Sequence, residues 1–229
     1  MNKKDMNISP VNAVKDDLVT EQIKSILDAR MEASAMDINV TTRNGVVELS
    51  GLVDVLAEKK YAGAVARSID GVRKVENNIT ISMDSNITDK HIEKEVINRL
   101  NQTGDDSNLT SVGVKVNDGV VNLIGHVDTL KTAHTAMNLA SQIRGVKDVV
   151  NNTNILNAEE YDDVSLHNRV RDQISASNLS SKDIDIEVKN NRVTLKGYVN
   201  NRRESELAKE LTMGIEGVKK VHNRLRVRK

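Results

Sequence analysis

The sequence predicts an α+β fold of three tandem αββαβ units, each a three-stranded mixed sheet with two helices packed on one face. Three observations carry this prediction. Gly45-Val46-Val47-Glu48-Leu49-Ser50-Gly51 returns as Gly119-Val120-Val121-Asn122-Leu123-Ile124-Gly125, and again as Asn191-Arg192-Val193-Thr194-Leu195-Lys196-Gly197. A second block follows each copy: Gly71-Val72-Arg73-Lys74-Val75-Glu76-Asn77, Gly145-Val146-Lys147-Asp148-Val149-Val150-Asn151 and Gly217-Val218-Lys219-Lys220-Val221-His222-Asn223. The distance from Gly51 to Gly71, from Gly125 to Gly145 and from Gly197 to Gly217 is always 20 residues, and the period is 74 and then 72. A fixed period of that size means one small fold copied three times.

Each unit opens with a helical pattern. Leu18, Gln22, Ile23, Ile26 and Leu27 share one helical stripe that ends near Arg30. Thr88 and Asp89 stand where an N-cap belongs, ahead of Ile92, Val96, Ile97 and Leu100. Leu166, Val170 and Ile174 keep the same rhythm in the third unit.

A hairpin follows. Ile38 to Thr42 alternates, Asn44-Gly45 turns, and Val46 to Val53 runs back. Asn-Gly is the strongest short hairpin signal because both turn residues take positive φ. The later units use Asp118-Gly119 and Asn190-Asn191, and Asn tolerates that conformation best among the other residues. Val47, Leu49, Gly51 and Val53 belong to one face of the return strand, and Val46, Glu48, Ser50 and Leu52 to the other. Gly51, inside a strand, predicts a bulge or the close approach of a helix.

A second, alanine-rich helix comes next, beginning at Leu56, Leu130 and Arg202. Gly71, Gly145 and Gly217 mark its exit, and a last strand such as Val75 to Ile81 closes each unit. If the second and third strands are parallel, the helix between them makes a right-handed crossover. The expected organisation is a flexible tail over residues 1–13 and units over 14–84, 85–157 and 158–229. Asp84-Ser85-Asn86 joins the first two, and the acidic stretch Asn157 to Asp163 joins the last two.

These blocks resemble the BON domain, the bacterial osmotic-shock and nodulation domain. The resemblance rests on the G-V-V-x-L-x-G strand, the helix after it and the G-V-x-x-V-x-N block, and covers about residues 14 to 229 in three copies. It implies a bacterial, non-catalytic module that associates with phospholipid membranes or their components, of a kind found in tandem in stress-induced envelope proteins. Envelope members carry a signal peptide or a lipid-attachment cysteine, and neither pattern is found in this sequence. A cytoplasmic relative that joins a BON domain to a peptidoglycan-binding-like module senses potassium.

Composition narrows the function classes. Formal net charge is zero, with 33 Lys/Arg against 33 Asp/Glu, so no long-range field steers the whole chain to nucleic acid or membrane. There are no cysteines, no Phe and no Trp, and only Tyr61, Tyr161 and Tyr198 are aromatic. Thiolate metal sites are excluded. Aliphatic cores are required, and the stacking platforms used on single-stranded nucleic acid are scarce. No apolar run reaches the roughly 7–15 residues of a secretory signal or the roughly 18 of a membrane span. Read from Met1, the chain is expected in the cytoplasm, or peripheral to the membrane.

No reactive constellation emerges, and the expectation is a protein that is not an enzyme, with no cofactor and no metal. His91, His126, His134, His167 and His222 make no HExxH motif or i, i+4 pair. Asp105-Asp106 and Asp162-Asp163 read as loop and capping acids rather than acid–base catalysts. No phosphate loop or nucleophile elbow is present. Gly214-Ile215-Glu216-Gly217 matches the GxxG of KH domains but precedes a strand, and reads as a helix terminator.

Charge is nonetheless uneven. Residues 11–84 hold 9 Lys/Arg against 12 Asp/Glu, residues 85–157 hold 7 against 8, and residues 158–229 hold 15 against 12. Alternation along the final strand puts His222, Arg224, Arg226 and Arg228 on one face, opposite Val221, Leu225 and Val227. With Lys196, Lys219 and Lys220 they are the candidate lipid- or anion-binding residues. A solvated face that protects a sheet edge from mispairing is the competing reading.

Three functional expectations follow. The first is peripheral, electrostatic binding to an anionic phospholipid surface or an envelope-associated assembly. The second is a potassium- or osmolyte-responsive sensor using backbone oxygens. The third is a scaffold joining a protein partner or copies of itself as a homo-oligomer, because units below about 70–80 residues rarely draw more than ~3–5 kcal/mol from their own core. No specific nucleic acid is expected as a partner.

Overall fold

The computed structural model describes residues 10–31, 37–82, 87–102, 109–177, 179 and 183–228. The expected acids Asp105-Asp106 and the linker Asp84-Ser85-Asn86 lie outside the described residues. The order is helix–strand–strand–helix–strand, three times. The first repeat holds α1 (Pro10–Met31), β1 (Ile38–Arg43), β2 (Val46–Val53), α2 (Leu56–Ser68) and β3 (Lys74–Ile81). The second holds α3 (Asp89–Gln102), β4 (Val112–Asn117), β5 (Val120–Val127), α4 (Leu130–Ser141) and β6 (Asp148–Ile155). The third holds α5 (Asp163–Ser175), β7 (Ile184–Lys189), β8 (Arg192–Val199), α6 (Arg202–Met213) and β9 (Lys220–Val227).

The sheets run in the orders β1-β2-β3, β4-β5-β6 and β7-β8-β9. In the first and third, the hairpin pair is antiparallel and the crossover pair parallel, so these sheets are mixed. The chain divides into two compact units. One takes in Met1–Ile92, Val116–Val120 and Ser141–Asp148, the other Glu93–Lys115, Val121–Ala140 and Val149–Lys229. The first sheet lies wholly in one and the third wholly in the other.

Alternation decides which face of each sheet is covered. In the first repeat Val47, Leu49 and Val53 of β2 pack with Ile23 and Leu27 of α1 and Ala62 and Ala66 of α2. In the third, Val193, Leu195 and Val199 of β8 pack with Leu166, Val170 and Ile174 of α5 and Ala208 of α6. Both cores are aliphatic, as the missing Phe and Trp require. Residues of the opposite parity lie on the face that the helices leave open.

All six hairpin turn residues have positive φ: Asn44 51°, Gly45 74°, Asp118 49°, Gly119 75°, Asn190 50° and Asn191 60°. Gly51 has φ 125°, and a Cβ there would stand 1.8 Å from the Asp37 carbonyl oxygen. The close approach comes from Asp37, a 3-10 residue leading into β1, and not from α1 or α2.

Two details depart from the sequence reading. Helix α1 begins at Pro10, so residues 10–13 are helical rather than part of a tail. Proline fits the first helical position because its φ is preset and its missing N–H would have no partner there. Residues 1–9 lie outside the described residues. Asp163 is likewise no linker acid but the first residue of α5, while its neighbour Asp162 caps that helix by accepting from Ser165 N at 2.6 Å.

One acid per repeat has a structural role that the sequence does not announce. Asp16 accepts from Asn44 N (2.6 Å) and Gly45 N (3.0 Å). Asp89 accepts from Asp118 N (2.8 Å) and Gly119 N (2.9 Å). Asp163 accepts from Asn190 N and Asn191 N, each at 3.0 Å. A carboxylate in the first helix thus holds both turn amides of its own hairpin, which satisfies donors that no strand partner reaches.

Candidate anion-binding face

The open face of the third sheet is laid out by the register of three strands. Lys189, Arg192 and Lys220 form the row nearest the hairpin turn. Glu187, Thr194 and His222 form the next, then Asp185, Lys196 and Arg224, and finally Tyr198 opposite Arg226. Six cations (Lys189, Arg192, Lys196, Lys220, Arg224 and Arg226) therefore share a face with the two acids Glu187 and Asp185. Arg192, Tyr198, Lys220, Arg224 and Arg226 are exposed, whereas Lys196 and His222 are half-buried.

Among the residues expected from sequence, Lys196, Lys220, His222, Arg224 and Arg226 are brought onto this one face. Lys219 precedes β9. Its backbone N–H donates to Asn191 O at 2.8 Å, and its side chain lines the same groove, of about 680 Å³, as Lys220, His222 and Arg224. Arg228 is drawn to Asp183 in an ion pair of 2.5 Å just past the strand end, leaving its charge compensated. Val221 and Leu225 pack against the core as expected, but Val227 stays 41% exposed.

Lys189 and Arg192 were missing from the sequence reading. Their signal was available: counting outward in steps of two from either side of the Asn190-Asn191 turn puts both on the face of His222. The adjacent groups are not equivalent electrostatically. Lys196 Nζ bonds Glu187 Oε2 at 2.5 Å. That hydrogen bond, then the charge of Lys196 and, more weakly, those of Arg224 and Lys189, hold the Glu187 carboxyl below the usual carboxylate range. Among the described residues no acid forms an ion pair with Lys189, Arg192 or Lys220. Like charges directly opposite each other in a sheet cost up to about 1 kcal/mol per pair.

The histidines sit on α3, β5, α4, α5 and β9, and no group of three or more potential metal ligands gathers among the described residues. No helix among the described residues is long and apolar enough to cross a membrane. Gly214 caps α6, in keeping with its reading as a terminator.

Comparison with known proteins agrees with the repeat. The BON domain model matches residues 15–83, 88–157 and 162–229. The chain is 30% identical over 146 residues to Osmotically-inducible protein Y of Escherichia coli (strain K12), covering 61% of this chain and 72% of that protein. It is 32% identical over 127 residues to the Outer membrane lipoprotein DolP of Haemophilus influenzae (strain ATCC 51907 / DSM 11121 / KW20 / Rd), covering 54% of this chain and 64% of that one, just under two thirds. Among solved structures, CdsD, a structural protein of the Type III secretion system of Chlamydia trachomatis, is 16% identical over 93% of this chain and 92% of its own, and its C-terminal domain is 15% identical over 100% of both. TM-scores of 0.26 and 0.27 are too low to carry any argument. The threefold match, over most of the sequence and on the blocks that set the period, makes this chain a member of the BON-domain family.

Proposed function

We propose that this protein is a non-enzymatic docking module for anionic phospholipid surfaces, or for envelope-associated assemblies that present them, with the open face of the third sheet as its contact surface. The observation that supports the reading is the excess of six cations over two acids on a sheet face that no helix among the described residues covers. The names of two relatives, one osmotically inducible and one an outer membrane lipoprotein, favour a stress-related role near the envelope.

The physics is peripheral. Each basic residue close to an anionic membrane contributes about 1 kcal/mol, and the attraction decays over a Debye length of about 10 Å at 0.1 M salt. Tyr198, half exposed at the far end of the face, has the amphipathic ring that settles at headgroup level.

Cosedimentation of the full chain with phosphatidylcholine vesicles, with and without phosphatidylglycerol, tests this. Binding to the anionic vesicles alone, weakening as salt rises through the physiological range, is expected. Salt-insensitive binding, or none to either vesicle, would sink the proposal.

A further inference from the structure

The row nearest the hairpin turn is made entirely of cations, unlike the other three rows of the face. Lys189, Arg192 and Lys220 lie side by side across all three strands, and among the described residues none has an ion-pair partner. Two rows further along, Lys196 is matched by Glu187. Edge protection accounts for a lysine on β7 or β9, since those strands are outermost. It does not account for Arg192, because β8 is the central strand of β7-β8-β9 and has no free edge. The first sheet makes the same point: the residue that begins its central strand is Val46, and Lys74 beside it is tied to Glu76 at 2.6 Å.

We propose that Lys189, Arg192 and Lys220 form a discrete site for a phosphate monoester headgroup of a lipid, a group able to carry two negative charges. Arg192 supplies a planar fork that takes two phosphate oxygens at once, and the lysines on the neighbouring strands, whose backbones lie about 4.8 Å away on either side, supply point charges. Lys219 and His222 border the same groove. The inference rests on the surface-binding reading above and deepens it. The face as a whole gives attraction to any anionic bilayer, whereas this row gives preference among headgroups.

The test compares vesicles containing phosphatidylglycerol, a singly charged diester, with vesicles containing phosphatidic acid, a monoester, matched for surface potential. The full chain and its Arg192→Val and Arg192→Lys variants are used. The wild type is expected to bind the monoester vesicles about three- to tenfold tighter, the size of one further basic residue engaged at an anionic surface. Arg192→Val should abolish that preference and raise the melting temperature by relieving the repulsion, and Arg192→Lys should keep part of the preference. Equal wild-type binding to both vesicles overturns this inference and leaves the broader reading standing, while failure to bind either overturns both. A preference that survives in Arg192→Val, or a lower melting temperature in that variant, also overturns it. Free glycerol phosphate binding without any vesicle binding overturns the lipid as the source, and tighter binding of a single-stranded oligonucleotide than of any vesicle overturns the class.

Discussion

The open faces of the first and third sheets share one register and carry different chemistry. In the first, Arg43 and Lys74 are balanced by Glu48 and Glu76, with Val46, Thr41, Asn39, Ser50, Asn78, Leu52 and Thr80 filling the remaining places. Lys74 bonds Glu76 at 2.6 Å and Asn78 bonds Glu48 at 3.3 Å, so this face is neutral and both of its acids are bonded within it. In the third, Thr194 and His222 stand where the first has Glu48 and Glu76, and Arg192 and Arg224 stand where it has Val46 and Asn78. The covered faces, by contrast, are nearly interchangeable: Val47, Leu49 and Val53 match Val193, Leu195 and Val199. The buried face specifies the module and leaves the open face free to differ between copies.

The largest expected effect tests the likeness of the cores. Leu49→Ala and Leu195→Ala each remove a fully buried side chain and should each cost about 2–5 kcal/mol in urea unfolding. If only one of them destabilises, the two modules are not equivalent inside.

Next come the turn clamps. Asp16→Ala and Asp163→Ala each strand two backbone amides that bond a carboxylate, and hydrogen bonds to charged groups contribute about 1.5–3 kcal/mol. Asp16 is only 8% exposed while Asp163 is half-buried, so the loss should be greater in the first repeat by thermal melting. Equal losses would show that burial does not strengthen the clamp.

The charge difference itself can be inverted. Glu48→Thr with Glu76→His gives the first face the Thr and His of the third's second row, and should add affinity for anionic vesicles at about 1 kcal/mol per removed acid. Lys220→Glu with Arg224→Glu should weaken vesicle binding and flatten its salt dependence. Unchanged cosedimentation in both variants would separate face charge from binding altogether.

The smallest effect is pH-dependent. The folded-state pKa of Glu187 is lowered, chiefly by the Lys196 hydrogen bond. Its contribution to stability is therefore present above the ordinary carboxylate pKa and lost as pH falls through the lowered one. Glu187→Gln should melt slightly below wild type near neutrality, with the gap closing in acid. A gap that persists at low pH would mean that packing, not charge, holds Glu187.

The two kinds of residue explain what could be read in advance. Asn44-Gly45, Asp118-Gly119 and Asn190-Asn191 announce their turns because positive φ is a local demand that few residues meet. Asp163 announced nothing, because its partners Asn190 and Asn191 lie 27 and 28 positions later and nothing local distinguishes it from a capping acid. Asn191 shows the same limit. It reads as a substitute turn residue, yet its side-chain amide donates to the carbonyls of Ala158, Tyr161 and Gly217, tying the linker to the third repeat. Lys189 and Arg192 were legible as parity and went unread because they precede and follow the turn rather than lie in the charged final strand.

The sequence alone determined the threefold repeat, the order of elements, the aliphatic cores and which strand residues turn inward, because period, turn chemistry and alternation are all short-range. Only the tertiary structure decided which first-turn acid holds which turn, that Lys196 and Arg228 have their charges matched by Glu187 and Asp183, and that Lys189, Arg192 and Lys220 stand in one unmatched row. Those facts depend on register between strands far apart in the chain, which burial of the opposite face sets and no local pattern encodes.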